Sequence, residues 1–163
     1  MRNVAWILDR MIARPDNTVH DIEHLMKVWG YARLIGQREG LDDHALYLLE
    51  VAAVVHDIAC PALRERTGSC PGKLQEAEGA PMAAAFLRDT GMAPADVDRV
   101  CFLVAHHHTF TGVDGLDWQI LLEADYLVNA GESGYSEDNI RHFAEKLCRT
   151  RSGRELFQSI YHV

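Results

Sequence analysis

His56 and Asp57 stand side by side at the end of an apolar helical run, and Asp125 interrupts another apolar stripe where a leucine would be expected. A carboxylate on a buried face costs several kcal/mol unless it is paired or bound to a cation. His24 falls in line with Val28, Tyr31 and Ile35 at helical spacing, so three helices each point a nitrogen or oxygen ligand inward. Imidazole with carboxylate suits Mn, Fe, Ni, Co or Zn, and a set without thiolate does not describe a cysteine-rich structural zinc site. The competing account makes His24 and His56 core histidines bonded to backbone carbonyls, and Asp57 and Asp125 capping or ion-paired acids. Any one of the four alone fits that account better. Together they favour a shared cation and a catalytic site.

His106, His107 and His108 form a second cluster ahead of a glycine-bearing loop. Such a run also suits a helix C-terminus, where the dipole favours positive charge. His20, four residues before His24, is as well explained by a helix cap or a partner of His24 as by a ligand. Trp6, Trp29 and Trp118 lie on helical stripes and read as core; His44, His142 and His162 have no partner pattern.

Three runs carry a family pattern: DIEHLMKV at 21–28, VVHDIA at 54–59 and EADYLVN at 123–129. In order and spacing they resemble the H…HD…D signature of the HD-domain metal-dependent phosphohydrolases. The resemblance implies an all-α HD bundle, with residues 1–163 as one HD-type domain. His24, His56, Asp57 and Asp125 would hold a divalent metal: Mn, Fe, Ni, Co, Mg or Zn. The implied activity is hydrolysis of a small phosphorylated metabolite or nucleotide by attack of metal-activated water on phosphorus. Asp57 would also orient the nucleophile, and His107 and His108 would serve catalysis or, as in several subfamilies, ligate a second metal. Lys27, Arg64, Lys73 and His106 are the candidates for binding substrate phosphate, since non-bridging oxygens need such donors. Dinuclear members carry a further histidine four residues before a glycine, where this chain has Gln75, with Glu76 and Glu78 beside it. That departure favours one metal over two. Two other functions stay open: a di-iron oxygenase, which needs both metals, and a non-catalytic module that binds a metal or nucleotide.

These side chains need a scaffold, and helical periodicity supplies it. Val4, Ile7, Leu8, Met11 and Ile12 make one face, closed by Pro15; Asp21 to Gln37 is apolar on two faces and reads as central. Asp42 or Asp43 caps a third helix that ends on His56. Cys60 to Gly72, with two prolines and two glycines, reads as a loop or short broken helix and as the most mobile segment. A helix follows over Leu74 to Arg88 with a kink near Gly79 and Pro81, then others from Pro94 to about His106, around Trp118 to Val128 and broken by Gly131 and Gly134, and over Ser136 to Leu147 and Ser152 to Tyr161. No strand, repeat or low-complexity tract is evident.

With 163 residues, 48% hydrophobic and 25% charged, the chain has the composition of a folded globular protein. The net charge of -8 disfavours a polymeric nucleic-acid partner. No run of about 20 apolar residues suggests a membrane partner. Asp9 and Arg10 interrupt any signal-like stretch, so the expected location is the cytoplasm. Cys60, Cys70, Cys101 and Cys148 form no CxxC pair and are expected as free thiols. The oligomeric state is left open. HExxH, GxxxxGK[ST], GxSxG and GxGxxG motifs are absent.

Overall fold

The computed structural model describes residues 1–163 as nine α-helices without a strand. They are α1 (Val4–Ile12), α2 (Val19–Arg38), α3 (Asp43–Val55), α4 (Cys60–Thr67), α5 (Gly72–Leu87), α6 (Pro94–Val104), α7 (Leu116–Glu132), α8 (Glu137–Lys146) and α9 (Arg151–Tyr161). The central helix is α3, which packs against α1, α2, α6 and α7. Its residues Leu48 to Val55 are all buried, so it is apolar on every side, as a helix surrounded by others must be. The one acid in that run, Glu50, accepts hydrogen bonds from Trp29 Nε1 (2.8 Å) and Arg33 Nη1 (2.6 Å). Helix α2 starts on a capping box, in which Thr18 accepts from the Asp21 backbone while the Asp21 carboxylate accepts from that of Thr18.

Of the loop or short helix expected over Cys60 to Gly72 the structure has the helix, and the other local features depart from the sequence expectations. Cys60–Thr67 is a helix, because Pro61 falls in the first turn, where a missing N–H costs nothing, and Gly68 closes it at φ 77°. Helix α5 runs unbroken through Pro81, and α7 continues through Gly131 to Glu132. Cys60 and Cys70 are joined in a disulfide across a Cα–Cα distance of 5.4 Å, so only Cys101 and Cys148 are free thiols. The spacing gave no hint of that pair because the cysteines meet only after α4 turns the chain back.

Gly79 sets the approach of α5 to α6: a Cβ there would lie 2.9 Å from Val104 Cγ1. One stretch, Asp43–Thr67, has the length and hydropathy of a membrane-crossing helix, but 78% of its apolar 18-residue window is buried inside the fold and a turn at 56–59 divides it.

Candidate metal centre

Helices α2, α3 and α7 bring His24, His56 and Asp57 into one group, and Asp125 adjoins both imidazoles. His24 Nε2 lies 3.2 Å from His56 Nε2, 3.5 Å from Asp57 Oδ2 and 3.3 Å from Asp125 Oδ1. His56 Nε2 is in turn 3.6 Å from Asp57 Oδ2 and 3.4 Å from Asp125 Oδ1. Atoms about 2.1 Å from a shared cation in a tetrahedral or octahedral array are themselves about 3.0–3.4 Å apart, close to this set.

The protons of the two imidazoles are already assigned. His56 Nδ1 donates to the Ala53 carbonyl (2.8 Å) where α3 ends, and His24 Nδ1 donates to Glu132 Oε2 (2.8 Å) at the end of α7. Both Nε2 atoms of the neutral rings therefore carry lone pairs, and they face each other and two carboxylate oxygens. Only a positive charge at the centre reconciles four such groups, so the residues fit a divalent cation.

The same carboxylates act on the His24 ring itself. Burial opposes charge on His24, but the Asp125, Asp57 and Glu132 carboxylates outweigh it and raise its pKa to about 9. Asp125 is held well below the usual carboxylate range, because His24 and His56 overcome its burial. Asn129 Nδ2 donates to Asp125 Oδ1 (2.8 Å), which fixes that carboxylate on its helix.

Asp57 has its two oxygens in two groups. While Oδ2 faces His24 and His56, Oδ1 is buried without a hydrogen bond and lies 3.3 Å from His107 Nε2. His107 repeats the device seen at His56: it follows a helix end, α6, and donates Nδ1–H to the Val104 carbonyl (2.6 Å). His24, His56 and Asp57 form one group able to hold a metal, and Asp57, His107 and His108 form another.

The profile of the HD domain matches residues 21–130, well over half of the chain. The chain belongs to the HD domain family. HD domains bind divalent metals, and membership makes this a protein of a metal-dependent hydrolase family. Its fold is similar to that of a predicted HD superfamily hydrolase from an uncultured Thermotogales bacterium, at 26% identity and a TM-score of 0.68 over 98% of this chain and 83% of that one. It also resembles Bacillus subtilis YpgQ in fold, at 22% identity and a TM-score of 0.58 over 98% of this chain and 88% of that one. No curated protein sequence matches it.

Beside this His–Asp cluster lies a cavity of about 160 Å³ lined by Asn17, His20, Asp21, His24, Asp57 and Arg64, among others. Arg64 Nη2 is held by both Asp21 oxygens (2.6 and 2.5 Å), and no protein acceptor takes its Nε or Nη1 protons. The other cations singled out from the sequence are elsewhere. Lys27 Nζ bonds Glu132 Oε1 (3.0 Å) at an exposed position, and Lys73 is exposed and makes no ion pair. His106 turns away, its Nδ1 bonded to the Phe102 carbonyl (2.7 Å) and its ring packed on Phe102 and Trp118. His20 Nε2 lies 3.4 Å from Glu132 Oε2.

Glu132 and Asn129, which orient His24 and Asp125, did not stand out in the sequence. Glu132 sits at a helix end among glycines, where an acid looks solvated. The available signal was its helical register with Asp125, seven residues or about two turns earlier.

Proposed function

We propose that this HD domain, taken as one unit over residues 1–163, is a metal-dependent phosphohydrolase acting on a small phosphorylated metabolite or nucleotide. The observation that carries the reading is the four-atom cluster of His24, His56, Asp57 and Asp125, whose lone pairs converge beside a cavity with an incompletely used arginine. The cavity is smaller than the roughly 300–1,000 Å³ of sites that enclose a whole ligand. It suits the phosphoryl end of a substrate, with the remainder outside.

A divalent cation held by those four residues supplies Lewis acidity, lowering the pKa of water and polarising a phosphoryl oxygen. Asp57 orients the attacking water through its unbonded Oδ1. Arg64 offers its Nε and Nη1 protons to non-bridging oxygens, steadied by Asp21. His107 and His108 stand on the far side of Asp57, where they stabilise developing charge or protonate the leaving oxygen.

His108 also bears on metal number. Gln75 Nε2 donates to the Cys70 carbonyl (2.6 Å), so its Oε1 faces His108 Nε2 (2.6 Å) and accepts a proton from it. A nitrogen that carries a proton is not free to bind a cation, which supports one metal and weakens the di-iron oxygenase alternative. The test is a panel of phosphomonoesters, nucleotides and diphosphates with Mn, Co, Ni, Fe, Mg or Zn added. Turnover that disappears in Asp57→Asn supports the reading; no turnover with any cation refutes it and leaves the non-catalytic binding module.

A further inference from the structure

The connection between α4 and α5 is tied to both walls of the metal centre. On one side Cys70 is bonded to Cys60, which follows Asp57 by three residues and lines the cavity. On the other, the Cys70 carbonyl accepts from Gln75 Nε2, which fixes the amide so that Oε1 points at His108 Nε2 (2.6 Å) and His107 Nε2 (3.1 Å). The first turns of α5 grip the histidine turn twice more. Glu76 Oε1 accepts from the His108 backbone N–H (3.0 Å) and the Thr109 hydroxyl (2.9 Å), and the missing Cβ of Gly72 admits the His108 ring.

Beyond these, the connection is spanned by the exposed ion pair of Arg66 Nη2 with Glu78 Oε1 (2.5 Å), which solvent screening weakens. Residues 65–69 are all exposed, so no apolar side chain anchors them in the core. A single neutral hydrogen bond is a weak fastening for such a segment, whereas a disulfide removes most of its freedom.

We propose that Gln75 is a positioning residue for His108 and that the Cys60–Cys70 disulfide is the strut that holds it, so that the thiol–disulfide state of this pair sets the orientation of His108 at the metal centre. Reduction by a dithiol breaks the S–S bond. Two electrons and two protons pass to Cys60 and Cys70, giving two thiols, and the dithiol closes to its cyclic disulfide. The loop is then tied only by the exposed Arg66–Glu78 ion pair and the neutral Gln75 bond, and the Gln75 oxygen no longer has a fixed place from which to accept the His108 Nε2 proton.

The test is the histidine tautomer read from long-range proton–nitrogen correlation spectra of uniformly ¹⁵N-labelled, zinc-loaded full chain. In air-purified protein, two thiols titrate after denaturation and His108 shows the single Nε2–H form. In the Cys60→Ser/Cys70→Ser variant and in Gln75→Ala, the His108 nitrogens become averaged between forms. Cys101→Ser changes nothing. Four titratable thiols, or an unchanged His108 spectrum in the double serine variant, overturns the strut; an unchanged spectrum in Gln75→Ala overturns the positioning role. An activity arm rests on the phosphohydrolase reading: kcat falls about 10–100-fold in Gln75→Ala, the range seen when a group that orients an active residue is removed, with KM nearly constant. Absence of turnover with a His108 spectrum that still follows the disulfide refutes the phosphohydrolase and leaves the strut standing.

Discussion

The Nε2 atoms of His24 and His56 lie 3.2 Å apart, and in their neutral forms neither ring has a proton to give the other, because each donates from Nδ1 to a different acceptor. Two lone pairs at that separation repel, and the Asp57 and Asp125 oxygens add negative charge to the same point. The fold keeps this arrangement because the contacts that fix it lie outside the cluster, at the Ala53 carbonyl and the Glu132 carboxylate.

A cation at that point binds the folded chain and not the unfolded one, so chelation lowers stability. At a free metal concentration 100-fold above Kd the stabilisation is about 2.7 kcal/mol, or about 5–10 °C in Tm for a chain of this size. Calorimetry with and without chelator measures it. His56→Ala is expected to show no shift on adding metal; a full shift in that variant places the cation elsewhere.

Glu132 acts on the metal through His24, by holding Nδ1–H and keeping Nε2 aimed inward. Glu132→Ala is therefore expected to weaken metal binding about 10–100-fold, while the four ligands stay in place. Titration against a competing indicator reads the Kd directly, and an unchanged value removes Glu132 from the centre.

How far the centre was legible follows from where each residue sits. Asp125 and His56 stood out because a polar group on an apolar stripe has no other explanation than a partner. Asp57, His24 and their order then completed a known pattern. Glu132 and Asn129 were not legible, since helix-end polar residues are ordinarily solvated. The disulfide was hidden because Cys60 and Cys70 approach only through α4, a segment that Pro61 and Gly68 left between a loop and a short helix. The sequence set His107 and His108 apart for catalysis or a second metal and His106 for substrate phosphate; the tight turn after α6 sends His107 to Asp57 but turns His106 away to Trp118.

Gly72 is a contact point rather than a turn. A Cβ there would meet His108 Cδ2 at 2.9 Å, closer than carbon atoms approach, so Gly72→Ala must displace the ring. The expected result is a tenfold or greater loss of kcat, of the size attached to misplaced supporting groups, with Tm within about 3 °C of the parent. A fully active Gly72→Ala protein would show that the orientation of His108 does not matter.

Asp21 links the start of α2 to Arg64 at the cavity rim. Burial pushes its carboxyl upward, but the Arg64 guanidinium and the Thr18 backbone and hydroxyl outweigh this and hold it below the ordinary value of 3.8. A depressed folded value means that the stabilisation is complete above 3.8 and is lost as pH falls through the folded value. Asp21→Asn keeps an oxygen for the cap but loses the charge, costing about 1 kcal/mol at pH 7 once solvent around Arg64 is allowed for. Urea denaturation should show that difference shrinking below pH 4. A constant difference down to pH 2 would mean the charge contributes nothing.

The proposed single-metal centre turns on Gln75. Its oxygen sits where Asp57 Oδ1, buried without a hydrogen bond, and His107 Nε2 already lie 3.3 Å apart. An amide oxygen is a weak ligand beside imidazole for transition metals, and this one is occupied by the His108 proton. Gln75→His would supply a third nitrogen and release His108 Nε2 to shed its proton. The expected outcome is one metal per chain in the parent and two in the variant, by elemental analysis after dialysis against buffered Mn²⁺ or Fe²⁺. One metal in both proteins would mean that something other than the Gln75 amide limits the second site. Two in both would overturn the single-metal reading and make Gln75 a ligand in its own right.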